Sequence, residues 1–125
     1  MTDTALRYNE GKTRYDLIPA DALEQLAKVY TIGAQKYAAR NWEKGFDWMS
    51  CYASAMRHGQ AWARGEDLDV GPNGEFGPYP ENPDIHMRWT GLPHAVLAAW
   101  NWMALTTFFL RDVGEDDRVV AGKPG

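Results

Sequence analysis

A histidine and a short acidic run in the middle of the chain have the residue types for metal or acid-base chemistry. His58 is followed by Glu66, Asp67 and Asp69, and the outer two acids are three residues apart. Carboxylates at this spacing near a helix end can present oxygens to one side, and Mg²⁺ takes oxygen ligands together with water and substrate phosphates. These residues predict either a magnesium site or a solvated acidic turn, which is the commoner role of such runs.

Two polar residues belong to a predicted helix that is otherwise almost entirely apolar. His94 and Asn101 are seven residues apart, so they lie on one face of that helix. Buried polar groups must be hydrogen-bonded or coordinated. The two residues are therefore either satisfied structural side chains or parts of a functional site.

A further group of residues is basic and aromatic. Arginine and lysine bind phosphate oxygens, and an aromatic face can stack on a base. The alternative for each cation is an ordinary surface charge. No zinc spacing, P-loop, Rossmann fingerprint or nucleophile elbow is present. The group comprises Lys12, Arg14, Lys36, Arg40, Lys44 and Arg57 around Tyr15, Tyr37 and Trp42.

Three helices are predicted to position these residues. The first begins at Pro19 and continues to Tyr37, with a bend or break at Gly33. The second has Asp47 as its N-cap and reaches about Arg64, where a glycine follows as the C-terminal stop.

The third predicted helix opens at Pro93 and ends near Leu110. It is apolar almost all round, so it is expected to be the central and most buried element. The organisation is an N-terminal basic segment (1–18), a helical domain (19–111) with a Gly/Pro-rich loop insertion (70–90), and a flexible tail (112–125). The fold class is all-α.

Composition narrows the class of protein. The chain has 125 residues, enough for one domain, and a net charge of −4, which argues against general nucleic-acid binding. The single Cys51 and the absence of a signal peptide predict a cytoplasmic protein, and the apolar stretch from Ala95 is too short for a membrane span. Six tryptophans in so small a domain predict a homo-oligomer, a dimer or tetramer.

The order of the motifs resembles a known family. It is similar to the phage-associated dATP/dGTP diphosphohydrolase N-terminal family, which is associated with MazG-like all-α nucleoside triphosphate pyrophosphohydrolases. The resemblance spans roughly residues 8 to 110 and predicts a small MazG-like helical bundle with three main helices. The motifs that carry it are Gly11–Pro19, Gly33–Tyr37, Asn41–Gly45, Arg57-His58, Gly65–Asp69 and Gly91–His94.

The resemblance implies Mg²⁺-dependent hydrolysis of purine (deoxy)nucleoside triphosphates to monophosphate and pyrophosphate, in the host cytoplasm if the chain is phage-encoded. It implies Glu66 and Asp69 as metal ligands, with His58, His94 and Glu43 as catalytic residues. The phosphate- and base-binding residues that it implies are Lys12, Arg14, Lys36, Tyr37, Arg40, Asn41, Trp42, Lys44 and Arg57.

The acidic motifs depart from the MazG pattern, which has Glu-x-x-Glu on one helix and Glu-x-x-Asp on the next. Only Glu66-x-x-Asp69 and, far away, Asp21-x-x-Glu24 are present, and Leu97 stands where a second histidine is often found. Two alternatives to the enzyme therefore stay open: a protein that binds or sequesters a nucleotide without hydrolysing it, and a purely structural helical oligomer. The loop before His94 contains residues that could replace missing ligands, namely Glu81, Asp84 and His86.

Overall fold

A computed structural model describes residues 5, 6, 8, 10–78 and 88–120. Three α-helices dominate it: α1 (Ala20–Lys36), α2 (Trp48–Ala63) and α3 (His94–Arg111). Two single-turn 3₁₀ helices cover Tyr15–Leu17 and Asn41–Lys44. The described ranges hold isolated β-bridges but no strand, so the all-α prediction is confirmed.

Helix α1 begins directly after Pro19, whose fixed φ of −59° suits a helix start. The predicted break at Gly33 does not occur, because the helix continues to Lys36 and the amide of Tyr37 still donates to the Gly33 carbonyl. Helix α1 therefore carries Lys36 in its last turn, beside the aromatic 3₁₀ segment 41–44. After that segment, the loop residue Gly45 has a φ of +97°.

Helix α2 ends as predicted, but a distant segment completes its start. Asp47 is the N-cap, yet its side chain makes no capping hydrogen bond. Instead the Trp48 amide donates to the Glu115 carbonyl, and the Met49 amide donates to Asp117 Oδ1, each at 2.9 Å. The sequence predicts a flexible tail from residue 112, whereas residues 113–117 lie against the first turn of α2. Helix N-termini need such acceptors, because their first amides have no partner within the helix.

Helix α3 is buried on one face rather than all round. Its buried side chains include Asn101, Ala104 and Phe108, which pack towards α2 and the 3₁₀ segment, with Cys51 of α2 in the same core. Trp102 stays 48 % exposed, although its ring meets that of Tyr52 of α2 edge to face, with centroids 6.1 Å apart. Helix α3 nevertheless has more buried side chains than α1 or α2 and packs against both of them, as predicted for the central and most buried helix. None of the described helices combines the length and apolarity required to cross a bilayer.

The long loop before α3 is ordered at its base. The Asp69 amide donates to the Leu92 carbonyl at 2.8 Å, and the Gly91 amide donates back to the Asp69 carbonyl at 2.7 Å. The His94 amide donates to the Asp67 carbonyl at 2.9 Å. This short antiparallel ladder ties the end of α2 to the start of α3 and fixes the acidic run beside the third helix. Three residues predicted as replacement ligands lie outside the described residues: Glu81, Asp84 and His86.

Candidate functional site

Two histidines from different helices meet at the α2–α3 junction. His58 lies in the second half of α2 and His94 is the first residue of α3. Their Nδ1 atoms are 2.9 Å apart, and the ring planes are tilted by 38°. A hydrogen bond between two imidazole nitrogens requires a proton on one and a lone pair on the other. The two rings therefore form a dyad that holds one shared proton.

The pKa of His58 is lowered from its ordinary value of 6.5. Burial is the main cause, and the neighbouring His94 and the positive charge of Arg57 act in the same direction, while Asp69 opposes them. Burial lowers the pKa of a histidine because it destabilises the charged form. His58 is thus a neutral imidazole at neutral pH.

The acidic run lies next to the dyad and is partly engaged. Asp69 Oδ2 accepts hydrogen bonds from the amide and the hydroxyl of Thr90, at 2.9 and 2.8 Å. The Glu66 carboxylate pairs with Arg64 at 2.9 Å, with both side chains more than half exposed. The ladder at the loop base, rather than helix periodicity, holds Asp69 here.

An open cavity of about 650 Å³ brings the acidic run and His94 together. Its wall carries acids that can take a cation or a proton and arginines that can take phosphate oxygens. His58 contacts His94 but does not itself line the cavity. The charged and aromatic lining residues are Arg64, Glu66, Asp67, Asp69, Arg88, Trp89 and His94.

The donor set of this cavity suits one kind of magnesium site. Within residues 10–78 and 88–120, no three histidine, cysteine or acidic side chains converge tightly enough to hold a metal by themselves. Mg²⁺ bound with a nucleotide usually takes only one or two protein carboxylates, and phosphates and water supply the rest. Glu66 and Asp69 on a wall shared with two arginines fit that arrangement.

Most of the predicted base-binding residues lie elsewhere. They line a second pocket of about 460 Å³ between α1, the 3₁₀ segment 41–44 and α3. Its lining has no residue in common with the first cavity. Tyr30, Trp42 and Trp100 meet edge to face in its wall, with ring centroids 5.6 to 6.0 Å apart. The predicted residues found there are Lys36, Tyr37, Arg40, Asn41 and Trp42.

Glu43, predicted as catalytic, is engaged in ion pairs. It contacts Arg40 at 3.0 Å and Arg111 at 3.7 Å, so it joins the 3₁₀ segment to the end of α3. Arg14 pairs with Asp16 on the surface at 2.7 Å. Four predicted phosphate-binding residues are exposed and line neither cavity: Lys12, Arg14, Lys44 and Arg57.

The cavity also contains residues that sequence reasoning missed. The sequence predicts Arg64 only as the end of α2. It is nevertheless close to the acidic run, because it lies two residues before Glu66. Arg88 and Trp89 come from a stretch without helical or strand periodicity, so no sequence signal places them. Thr90 was also not predicted: it does not line the cavity, but its amide and hydroxyl both donate to the Asp69 carboxylate that does.

Comparison with known proteins confirms the family that the order of the motifs indicates. A family model described as dATP/dGTP diphosphohydrolase, N-terminal, matches residues 2–118. No curated protein and no solved structure matches the chain. The family's name denotes a hydrolase that acts on purine deoxynucleotides. Because the match covers nearly all of its 125 residues, the chain belongs to the dATP/dGTP diphosphohydrolase N-terminal family.

Proposed function

We propose that this chain hydrolyses dATP, dGTP or related purine nucleoside triphosphates to the monophosphate and pyrophosphate, with Mg²⁺ as cofactor. The observation that carries the proposal is the cavity at the α2–α3 junction. There the acidic run, two arginines and the outer member of a histidine dyad share one wall. Family membership supports the purine deoxynucleotide as the substrate class.

Each group on the wall has a role that follows from its chemistry. Arg64 and Arg88 bind phosphate oxygens, because guanidinium groups donate to them in pairs. Glu66 and Asp69 would hold Mg²⁺, which neutralises phosphate charge and orients the attacking water. The hydrogen bonds from Thr90 hold the Asp69 carboxylate in one orientation.

The histidine dyad supplies a proton acceptor. When the Nδ1–H of His94 donates to Nδ1 of His58, Nε2 of His94 keeps a lone pair. Water attacks the α-phosphorus, the bond from that phosphorus to the bridging oxygen breaks, and pyrophosphate leaves. The water's proton passes to Nε2 of His94, and His58 stabilises the charged ring that results. A neutral His58 is needed for this acceptor role.

A second candidate function is nucleotide binding without hydrolysis. It is favoured by the engagement of both predicted metal ligands, Glu66 with Arg64 and Asp69 with Thr90. Such a protein would hold the phosphates through its arginines and release the nucleotide unchanged.

A product assay separates the two functions. Purified protein with Mg²⁺ is incubated with each (deoxy)nucleoside triphosphate, and products are resolved by chromatography while binding is followed by thermal shift. Hydrolysis of purine substrates to monophosphate and pyrophosphate is expected. Glu66→Gln with Asp69→Asn should reduce turnover by about 100-fold or more. Glu24→Gln, which alters an exposed acid of α1 outside the cavity, serves as the matched control.

One result would contradict the assignment of the metal ligands, and another would contradict the enzyme. Full Mg²⁺-dependent turnover in the double variant would remove the metal assignment. Thermal stabilisation of the wild-type protein by a nucleotide that stays intact after long incubation would establish the binding protein instead.

A further inference from the structure

The pocket between α1, the 3₁₀ segment 41–44 and α3 has no part in the chemistry assigned to the cavity. Its wall is mainly apolar, with the rings of Tyr30, Trp42 and Trp100 exposed to it. Each of these rings contacts the other two edge to face, and all three residues also line the pocket, where they offer aromatic surface to another planar group. Its volume of about 460 Å³ is within the range of small-molecule sites.

The two charged residues that line this pocket are both positive. Lys36 and Arg40 contribute to its lining, and no acidic residue does, although the chain as a whole carries a net charge of −4. The ammonium of Lys36 lies 5.1 Å from the centroid of the Tyr37 ring. Arg40 is ion-paired with Glu43 at 3.0 Å, and Glu43 lines an adjoining surface pocket that shares Tyr30 and Trp42 with this one. The local excess of cations on an aromatic wall is complementary to a ligand that is planar and anionic.

We infer that this pocket is a second ligand site, separate from the hydrolytic cavity, which binds a nucleoside monophosphate. The base packs against the aromatic wall, and the phosphate lies at the rim, near Lys36 and Arg40. A phosphate monoester carries nearly two negative charges at neutral pH, which two cations can balance. Asn41 adds an amide that can donate to and accept from a base edge.

Binding at this second site does not require hydrolysis, and the test is designed so that no hydrolysis takes place. The full chain is titrated with deoxyguanosine monophosphate in EDTA by isothermal calorimetry, and the indole N–H signals are followed by NMR. Saturable binding is expected, with the indole signals of Trp42 and Trp100, assigned through their Trp→Phe variants, moving first. Lys36→Glu should weaken binding by about tenfold or more, because a charge-assisted contact becomes repulsive.

Controls keep the two sites distinguishable. Lys28→Glu makes the same charge change on an exposed position of α1 outside the pocket lining and should leave affinity unchanged. Glu66→Gln with Asp69→Asn should also leave it unchanged, even if that variant has lost turnover. Lys36→Gln removes the charge alone, so the test survives if the glutamate variant fails to fold.

Several results would overturn the second site. These are the absence of saturable binding, full affinity in both Lys36 variants, or loss of affinity in the cavity double variant. Equal affinity for deoxyribose 5-phosphate would leave a phosphate site with no role for the aromatic wall. Sedimentation provides the last check: if Lys36→Glu dissociates an oligomer while the monophosphate does not bind, the pocket is a subunit interface.

Discussion

Nδ1 of His58 lies 2.9 Å from Nδ1 of His94, so the two rings cannot both be fully protonated while this hydrogen bond exists. If both Nδ1 atoms carried a proton, two N–H donors would point at each other, close to the positive charge of Arg57. The α2–α3 junction is therefore built for a dyad that carries at most one extra proton. Two predictions concern this dyad.

The first prediction is that the protein loses stability as the pH falls below about 6.5. The pKa of His58 is lower in the folded protein than its ordinary value of 6.5. Between the lowered pKa of folded His58 and 6.5, the unfolded chain therefore binds more protons than the folded protein. The free energy of unfolding decreases as the pH is lowered through this range. Thermal melts between pH 5 and 8 without Mg²⁺ measure the slope. His58→Gln should flatten it, and an unchanged slope in that variant would assign the effect to other groups.

The second prediction separates the roles of the two histidines in turnover. His94 lines the cavity and His58 does not. His94→Gln should therefore lower kcat by about 100-fold or more, as expected for loss of a general base. His58→Gln should have a smaller effect and shift the pH at which kcat is half-maximal. Equal losses of kcat with no shift in the pH profile would argue against a proton acceptor at His94.

Thr90→Val tests the support of the acidic run. The substitution keeps the backbone donor to Asp69 Oδ2 and removes the hydroxyl, which donates to Asp69 and also accepts from the Leu92 amide at 3.2 Å. The expected loss in free energy of unfolding is about 1–2 kcal/mol. Thr90→Ser keeps the hydroxyl and should stay within about 0.5 kcal/mol of the wild-type protein. Denaturant unfolding measures both, and equal stability of the two variants would contradict this role.

Asp117→Ala tests the segment that completes α2. Asp117 Oδ1 accepts from the Met49 amide at 2.9 Å. Removing a capping acceptor of this kind costs about 1 kcal/mol. Asp117→Asn keeps an acceptor and should cost only a few tenths of that amount. Denaturant unfolding of both variants decides the matter: if the asparagine variant is as destabilised as the alanine variant, charge rather than capping explains the contact.

Gly114→Ala tests the close approach of the same segment to the loop before α2. Gly114 has a φ of +78°, and a Cβ there would lie 2.4 Å from the Phe46 carbonyl oxygen. Left-handed strain and overpacking together should cost about 2–5 kcal/mol. Gly74 has the same φ with open space around it, so Gly74→Ala should cost only about 1–2 kcal/mol. Melting temperatures of the pair compare them directly, and equal losses would mean that residues 113–117 do not pack as described.

The ends of the helices could be predicted from sequence because their signals are local. Pro19 and Pro93 precede α1 and α3, and Gly65 follows α2 with a φ of +88°. The start of α2 could not be predicted fully. Asp47 is a sufficient local cap by residue type, whereas the acceptor that α2 uses lies 68 residues further along the chain.

The candidate site could be predicted in part. Glu66, Asp69 and His94 share one cavity, because the first two follow the end of α2 closely and the ladder joins this segment to the start of α3. The separation of the basic and aromatic residues into another pocket depends on which faces of α1 and α3 meet. Charge and aromatic content do not encode that geometry. The central position of α3 could be predicted, because its sequence is apolar almost all round.

The contact of Asp117 with the start of α2 also has a consequence for the order of events during synthesis. The helix that bears His58 emerges from the ribosome long before residues 113–117, which complete its first turn. Its other main neighbour, α3, also follows it in the chain. Contacts between segments so far apart in sequence form late, because the intervening chain must first be ordered. The histidine dyad is therefore assembled only after nearly all of the described chain has been translated.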